Sequence, residues 1–205
     1  MKPKTIPEET IGRLFLYLRA LLCLAREGKE TVSSQKLAEA CHVKPTIIRK
    51  DFSYFGEFGT RGVGYDVNQL IQEIRHILNL DNLMKAALIG VGNIGMALLN
   101  YTGFEEEGFK ITVAFDNNRD KIGKKINNVP IEDVAHLESM LQTQGIQLGI
   151  IAVPESAASE IAQRLAQGGV KAILSFAPCQ LITSDNIQIA CVDLATEMAR
   201  LVYYL

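Results

Sequence analysis

The segment "ALIGVGNIG", residues 87–95, constrains this chain more than any other stretch. An apolar run meets three glycines spaced G-x-G-x-x-G, at Gly90, Gly92 and Gly95. Placed between a strand and a helix, that spacing marks a dinucleotide-binding unit. The first glycine permits a tight turn, the second lets the backbone approach a pyrophosphate, and the third allows close helix–strand packing. The helix that follows presents unpaired N–H groups and a positive dipole end to the phosphates. The loop residues Gly90, Val91, Gly92, Asn93, Ile94 and Gly95 are therefore the candidate phosphate cradle. A second apolar run, "FKITVAF", ends in Asp116 at the distance where a carboxylate takes the ribose hydroxyls of NAD. Asp116 would repel a 2′-phosphate, which favours NAD(H) over NADP(H). The nearby Arg119 and Lys121 weaken that preference slightly.

The alternation continues to the end of the chain. "HLESMLQTQG" reads as helix, "IQLGIIAVP" as a buried strand, "SAASEIAQRLAQGG" as helix, and "KAILSF" and "IQIACVD" as strands. This predicts an α/β unit with a parallel sheet and helices on both faces. "AVP" (Ala152, Val153, Pro154) and "SFAP" (with Phe176, Ala177, Pro178) fall at carboxyl ends of strands, where such sheets bind ligands. Their alternative reading, as ordinary strand-to-helix turns, fits composition equally well. The last segment, "DLATEMARLVYYL", reads as a helix capped by Asp193. Its apolar stripe is Leu194, Met198, Leu201, Val202 and Leu205. That stripe needs cover, from its own sheet or from a second copy.

More than eighty residues precede the glycine loop, and they read differently. "TIPEETIGRLFLYLRALLCLAREG" predicts a helix with Thr5 and Glu8 as a capping box. Its apolar stripe runs through Ile11, Leu14, Phe15, Leu18, Leu21, Leu22 and Ala25. A short serine-capped helix to about Cys41, a tight turn, and a second helix opening at Pro45 give a helix-turn-helix outline. On a wheel of about 100° per residue, Ile48, Phe52 and Phe55 share one side of that second helix. Thr46, Arg49, Lys50 and Ser53 share the other. Two cations flanked by hydroxyls can enter a major groove, since Arg and Lys donate to guanine and hydroxyls reach phosphates. Those four residues alone would also suit a solvated helix face.

The next segment decides between the two. "FGEFGTRGVGYDV" predicts a hairpin with a glycine-rich tip carrying Arg61. A helix-turn-helix followed by such a hairpin is a winged helix, and a tip arginine suits the negative potential of a minor groove. Asp66 caps the helix that follows, and the boundary is expected at about 81–84. The expected organisation is thus a winged-helix DNA-binding domain at 1–82, a Rossmann NAD(H)-binding domain at 83–192, and a terminal helix at 193–205.

Charge supports this division without proving it. Residues 1–84 carry 12 basic and 10 acidic side chains, and the remainder 9 and 13. No eighteen-residue apolar run predicts a membrane span, and the polar start lacks a signal-peptide core. Cys23, Cys41, Cys179 and Cys191 are scattered, with no C-x-x-C pair, which suits reduced structural thiols in a cytoplasmic protein better than a metal or redox role. Nor does the chain ask for a catalyst. His42, His76 and His136 read as structural or solvated, Lys171 and Tyr101 have little support as catalytic acids, and no substrate domain remains. The alternatives are an NAD-dependent oxidoreductase with a helical accessory domain, and a CoA-binding subunit resembling a ligase α-chain. Asp116 argues against the second, because CoA carries a 3′-phosphorylated ribose.

Over nearly its full length the sequence resembles the Rex family of redox-sensing transcriptional repressors. The resemblance is carried by "IIRKDFSYFGEFGTRGVGYDV", "ALIGVGNIGMALLNY", "FKITVAFD", "GIIAVP" and "SFAP". It implies a bacterial cytoplasmic homodimer that binds palindromic, double-stranded operator DNA and releases it when NADH binds, with NAD(H) as an allosteric ligand. It also implies a C-terminal helix swapped between subunits. Arg49 and Lys50 match the family's recognition-helix cations, Arg61 its wing tip, and Asp116 its ribose acid. Arg13, Tyr101 and Asp193 match polar positions that tie the nicotinamide end to domain orientation. Where the family often has "NFAP", this chain has Ser175 in place of the asparagine.

Overall fold

The computed structural model describes residues 6–60, 63–179, 181, 183 and 187–203. The chain forms two compact units, Met1–Leu83 and Met84–Leu205.

The first unit is built from α1 (Glu8–Arg26), β1 (Thr31–Val32), α2 (Ser34–Ala40), α3 (Pro45–Phe52), β2 (Tyr65–Asp66) and α4 (Val67–Ile77). Helix α1 starts after Pro7 with no side-chain cap. Glu8 is its first residue, so it cannot close the expected capping box, and Thr5 lies outside the described residues. The buried face holds Leu14, Leu18 and Leu21 as expected, but also Thr10 and Tyr17. Phe15, placed in the apolar stripe by spacing, is 39% exposed. The other two caps follow the sequence closely. Ser33 accepts from the Lys36 N–H at 3.2 Å, and Asp66 accepts from the Gln69 N–H at 2.8 Å. Between α2 and α3 the chain turns through His42 in the left-handed region, with φ +52°. Pro45 occupies the first turn of α3, where its missing N–H goes unused.

Among the described residues of the wing, the antiparallel pairing is the bridge Thr60–Gly64. Strand β2 pairs instead with β1, Thr31 opposite Asp66 and Val32 opposite Tyr65. The wing is therefore anchored by a strand that precedes the helix-turn-helix, in a segment too short to show a period.

The second unit contains β3 (Met84–Ile89), α5 (Asn93–Asn100), α6 (Gly103–Glu106), β4 (Phe109–Asp116), β5 (Lys125–Ile126), β6 (Val129–Asp133), α7 (Leu137–Gln144), β7 (Leu148–Ile151), α8 (Glu155–Gln167), β8 (Ala172–Ser175), β9 (Gln188–Cys191) and α9 (Leu194–Val202). The sheet order is β5-β6-β4-β3-β7-β8-β9. All pairs are parallel except β5 with β6. Alternate residues of β3 feed two cores. Ala87 and Ile89 pack with Leu141, Ile161 and Leu165 on one face, and Ala86 and Leu88 pack with Leu99 on the other. Helices thus cover both faces of a doubly wound sheet. The chain runs outward from β3 to β4 and later crosses back from β6 to β7 on the other side of β3, which creates a crevice at the carboxyl ends of β3 and β7.

Candidate functional site

The first candidate surface lies on α3 and the wing. Ile48 and Phe52 are buried, while Thr46, Arg49, Lys50 and Ser53 are exposed. The expected division into a packed and a free face is therefore present. The helix ends at Phe52, so Phe55, assigned to the packed face, lies beyond it and is half-buried. Ser53 is the C-terminal cap, and its hydroxyl donates to the Lys50 carbonyl at 2.7 Å. Its hydrogen is thus committed to its own helix, leaving only acceptor capacity. Arg49 and Lys50 have no ion-pair partner among the described residues. Arg49, Ser53, Thr60 and Tyr65 line a cleft of about 710 Å³ between α3 and the wing. Phe52 holds the cleft's floor, with ring centroids 5.0 Å from Phe58, 5.3 Å from Tyr65 and 5.6 Å from Tyr17. Arg61 lies outside the described residues.

Beneath the exposed cations lies a group that helical spacing did not reveal. Asp51, fully buried, accepts from Arg13 Nε at 2.6 Å and Nη2 at 2.8 Å. It also accepts from Tyr17 Oη at 2.7 Å and Thr10 Oγ1 at 3.1 Å. Burial alone would raise the Asp51 pKa. The hydrogen bonds from Arg13, Tyr17 and Thr10 outweigh it and hold the carboxyl below the ordinary range. Three residues of α1 thus grip one residue of α3 from below. The sequence signal was present in Thr10, Arg13 and Tyr17, which share one face of α1 at three- and four-residue steps.

The second candidate site is the crevice after β3 and β7. Gly90 has φ +96°, and a Cβ there would meet the Ala152 carbonyl and Val153. A Cβ on Gly95 would collide with the Gly90 carbonyl. A Cβ on Gly92 would meet nothing within 4 Å. Gly90 and Gly95 are thus required by the protein's own packing. Gly92 faces open space at the N-terminus of the eight-residue α5, the end of a helix that offers unpaired N–H groups. The adjoining cavity of about 270 Å³ is lined by Gly90, Gly92, Asp116, Ala152, Val153 and Pro154, and also by Val134, Ala157 and Ile161. The last three give it an apolar wall that no motif announced. Around the loop, Val91 and Gly95 are buried, while Asn93 and Ile94 are exposed.

Asp116 sits at the end of β4, 8% exposed. It accepts from the Val91 N–H at 2.9 Å and the Asn118 N–H at 2.8 Å, and pairs with Lys121 Nζ at 3.2 Å. Lys121 also donates to the Val91 carbonyl at 2.9 Å. Burial pushes the Asp116 pKa up, but the two backbone N–H groups and Lys121 prevail and lower it. Asp116 therefore shapes the glycine loop. A carboxylate has about four lone-pair sites, so one remains for a hydroxyl beside these three donors.

Phe176, Ala177 and Pro178, which follow β8, are not among the residues that line this cavity; Phe176 is half-buried, Ala177 buried and Pro178 exposed. Ser175, where the family often carries asparagine, is fully buried and accepts from the Ala177 N–H at 3.1 Å. It closes a local turn.

The three residues assigned to a switch each have a local partner. Arg13 is bound to Asp51. Tyr101, 52% exposed, packs edge-on against Phe104 with centroids 4.7 Å apart. Asp193 caps α9, accepting from the N–H groups of Ala195 and Thr196 and, at 2.6 Å, from the Thr196 hydroxyl. The stripe of α9 is uncovered. Leu194, Met198, Leu201 and Val202 are all at least 60% exposed, and Leu205 lies outside the described residues. Among the described residues no helix is long and apolar enough to cross a membrane, and no group of side chains could hold a metal ion.

A winged-helix unit joined to a doubly wound unit with a glycine-loop crevice defines a DNA-binding regulator with a nucleotide-type ligand domain. Comparison with known proteins narrows that class. Residues 5–53 match the family model for a DNA-binding protein N-terminus, and residues 81–179 match that for a CoA binding domain. The redox-sensing transcriptional repressor Rex of Carboxydothermus hydrogenoformans is 45% identical, covering 99% of this chain and 98% of its own. The crystal structure of RSP in complex with β-NAD+ and operator DNA superposes with a TM-score of 0.89 at 35% identity, covering 98% of this chain and 93% of that one. That of RSP in complex with β-NADH gives 0.85 at 35%, covering 98% and 95%. The chain belongs to the Rex family of redox-sensing transcriptional repressors.

Proposed function

We propose that this chain is a cytoplasmic, dimeric repressor that holds palindromic operator DNA and releases it when NADH occupies the glycine-loop crevice. The observation that carries this reading is Gly92. It is a glycine that the fold does not need, placed where a pyrophosphate approaches a helix N-terminus. Asp116 receives the adenosine ribose, with Val134, Ala157 and Ile161 beside it as an apolar wall. Phe176, Ala177 and Pro178 form the opposite lip. NADH and NAD+ differ by a hydride and a charge at the nicotinamide, so discrimination rests on contacts at that end. Those contacts must differ between two arrangements of the dimer, because a ligand shifts an equilibrium only by its differential affinity.

On the DNA side, Thr46, Arg49 and Lys50 read the major groove, Ser53 accepts at its edge, and Arg61 enters the minor groove. Two copies related by a two-fold axis match a palindromic site. The uncovered stripe of α9 provides the dimer contact, with the helix exchanged between subunits. Arg13, Tyr101 and Asp193 couple the nicotinamide end to domain orientation. For Arg13 and Asp193 this requires partners to be exchanged, since each is held locally here.

The test is binding of the full chain to a labelled palindromic duplex from its own promoter, measured across a salt series. Arg49→Ala is expected to weaken binding by about 1–3 kcal/mol and relax sequence preference, as loss of a base contact does. Lys50→Ala, if it loses a phosphate contact, lowers the salt slope by about 1. Affinity and salt slope unchanged in both variants would refute the assignment of α3 to the groove.

A further inference from the structure

Cys179 and Cys191 stand twelve residues apart in sequence and adjacent in the fold. Strands β8 and β9 are parallel, with Ile173 opposite Ile189 and Ser175 opposite Cys191. Ile173 and Ile189 both pack into the core beneath α7 and α8. Since side chains alternate along a strand, Cys191, two residues beyond Ile189, lies on that same face. Cys179 packs against the same core from the turn that follows β8. The Cys191 thiol reaches the Cys179 carbonyl oxygen, with Sγ to O at 3.7 Å. Cys191 is exposed and Cys179 half-buried. The segment between them joins the Phe176–Pro178 lip to the strand that delivers Asp193 and α9.

We infer that Cys179 and Cys191 form a thiol pair that a hydroperoxide oxidises to an intrachain disulfide. The exposed Cys191 thiolate attacks one peroxide oxygen, breaking the O–O bond, and becomes a sulfenic acid as hydrogen peroxide is reduced to water. Cys179, as thiolate, then attacks that sulfur and displaces the hydroxyl as a second water. Two thiols and one peroxide yield one disulfide and two waters, with two electrons transferred. The order of attack follows from exposure. Desolvation and the neighbouring Glu155 and Cys191 raise the Cys179 pKa, which suits it to resolve rather than initiate.

The bond ties the end of β9, two residues before the α9 cap, to the lip of the crevice. It gives the protein a second redox input, separate from the dinucleotide and reversible by cellular thiols. Burial pushes the Cys41 thiol up to about 11, while Cys23 is exposed in the other unit, so its oxidation is what Cys23→Ser must separate from that of this pair.

The test treats the full-length protein with one equivalent of hydrogen peroxide, then counts thiols and maps peptides by mass. The expected result is loss of two of the four thiols per chain, a mass decrease of about 2 Da, and one crosslinked peptide joining Cys179 to Cys191. Cys191→Ser abolishes all three, and Cys23→Ser changes none apart from its own thiol. Oxidised wild type is expected to need at least a twofold different NADH concentration for DNA release, a shift reversed by dithiothreitol and absent in Cys191→Ser. A crosslink between two chains, sulfinic acid at Cys191 without a disulfide, or no loss of thiols would each overturn the pair. A disulfide that forms without moving the NADH midpoint would overturn its role as an input.

Discussion

Asp51→Asn is the perturbation that most directly probes how the DNA-reading helix is held. The substitution keeps the shape of the side chain and removes its charge. It also presents an amide where Arg13, Tyr17 and Thr10 all donate, so at least one donor loses its acceptor. Breaking a buried ion pair by removing one partner costs about 3–5 kcal/mol. The Arg13 side chain keeps 27% of its exposure and can partly rehydrate, and the asparagine carbonyl still accepts, so we expect about 2–4 kcal/mol. For a unit of this size, about 4–8 °C is lost per kcal/mol, which gives a fall of about 8–32 °C in its unfolding transition. Differential scanning calorimetry of the full chain reads this, and NADH binding by the second unit serves as the control. Replacing both partners, Asp51→Leu with Arg13→Met, leaves no buried charge alone but takes the acceptor from the buried Tyr17 and Thr10 hydroxyls, so it is not expected to restore the lost stability. A single variant within about 0.5 kcal/mol of wild type, the range of ordinary surface substitutions, would refute the reasoning.

Four further outcomes rest on the same structure. Gly92→Ala is expected to fold with unchanged stability and to lose at least tenfold in NADH affinity by calorimetric titration. Gly95→Ala, whose Cβ meets backbone, is expected to destabilise the second unit itself. Both Asp51 and Asp116 have depressed pKa values. Their contribution is therefore complete above the ordinary carboxylate pKa of about 4 and is lost as pH falls below it through the folded values. The unfolding temperature should accordingly drop steeply below about pH 4, and Asp51→Asn should blunt that drop. Met198→Asp with Leu201→Asp is expected to give a monomer by sedimentation, with DNA affinity reduced at least tenfold; a dimer of unchanged stability would remove α9 from the interface.

The parts of the fold that were legible in the sequence have a strong local signal. Gly90, Gly92 and Gly95 announce strand, loop and helix together, and Ser33, Pro45 and Asp66 mark helix starts through their own hydrogen-bonding chemistry. The apolar face of α3 followed from its period. What escaped has non-local causes. Strand β1 is two residues long and exists because β2 pairs with it. The β5–β6 hairpin turns through Asn127 and Asn128, both at positive φ, in a charged segment that no hydrophobic period singles out. Asp51 stands in "RKDF" among solvated charges, and only the polar side chains of α1, 34 to 41 residues earlier, reveal it as buried. Asp116 was placed correctly at a strand end. That it organises the glycine loop rests on its bond from the Val91 N–H and on Lys121 folding back, which spacing cannot express. Cys179 and Cys191 looked scattered because nothing in their spacing shows that the turn after β8 meets the end of β9.

The central claim is that the dinucleotide controls the winged helix. The measurement that tests it most directly is fluorescence anisotropy of the full chain on its own palindromic promoter duplex. NADH and NAD+ are titrated separately at one fixed salt concentration, since salt alone moves such affinities by orders of magnitude. Release by NADH, with DNA retained in NAD+, is the expected result. Equal anisotropy throughout both titrations, with NADH binding confirmed by calorimetry, would contradict it.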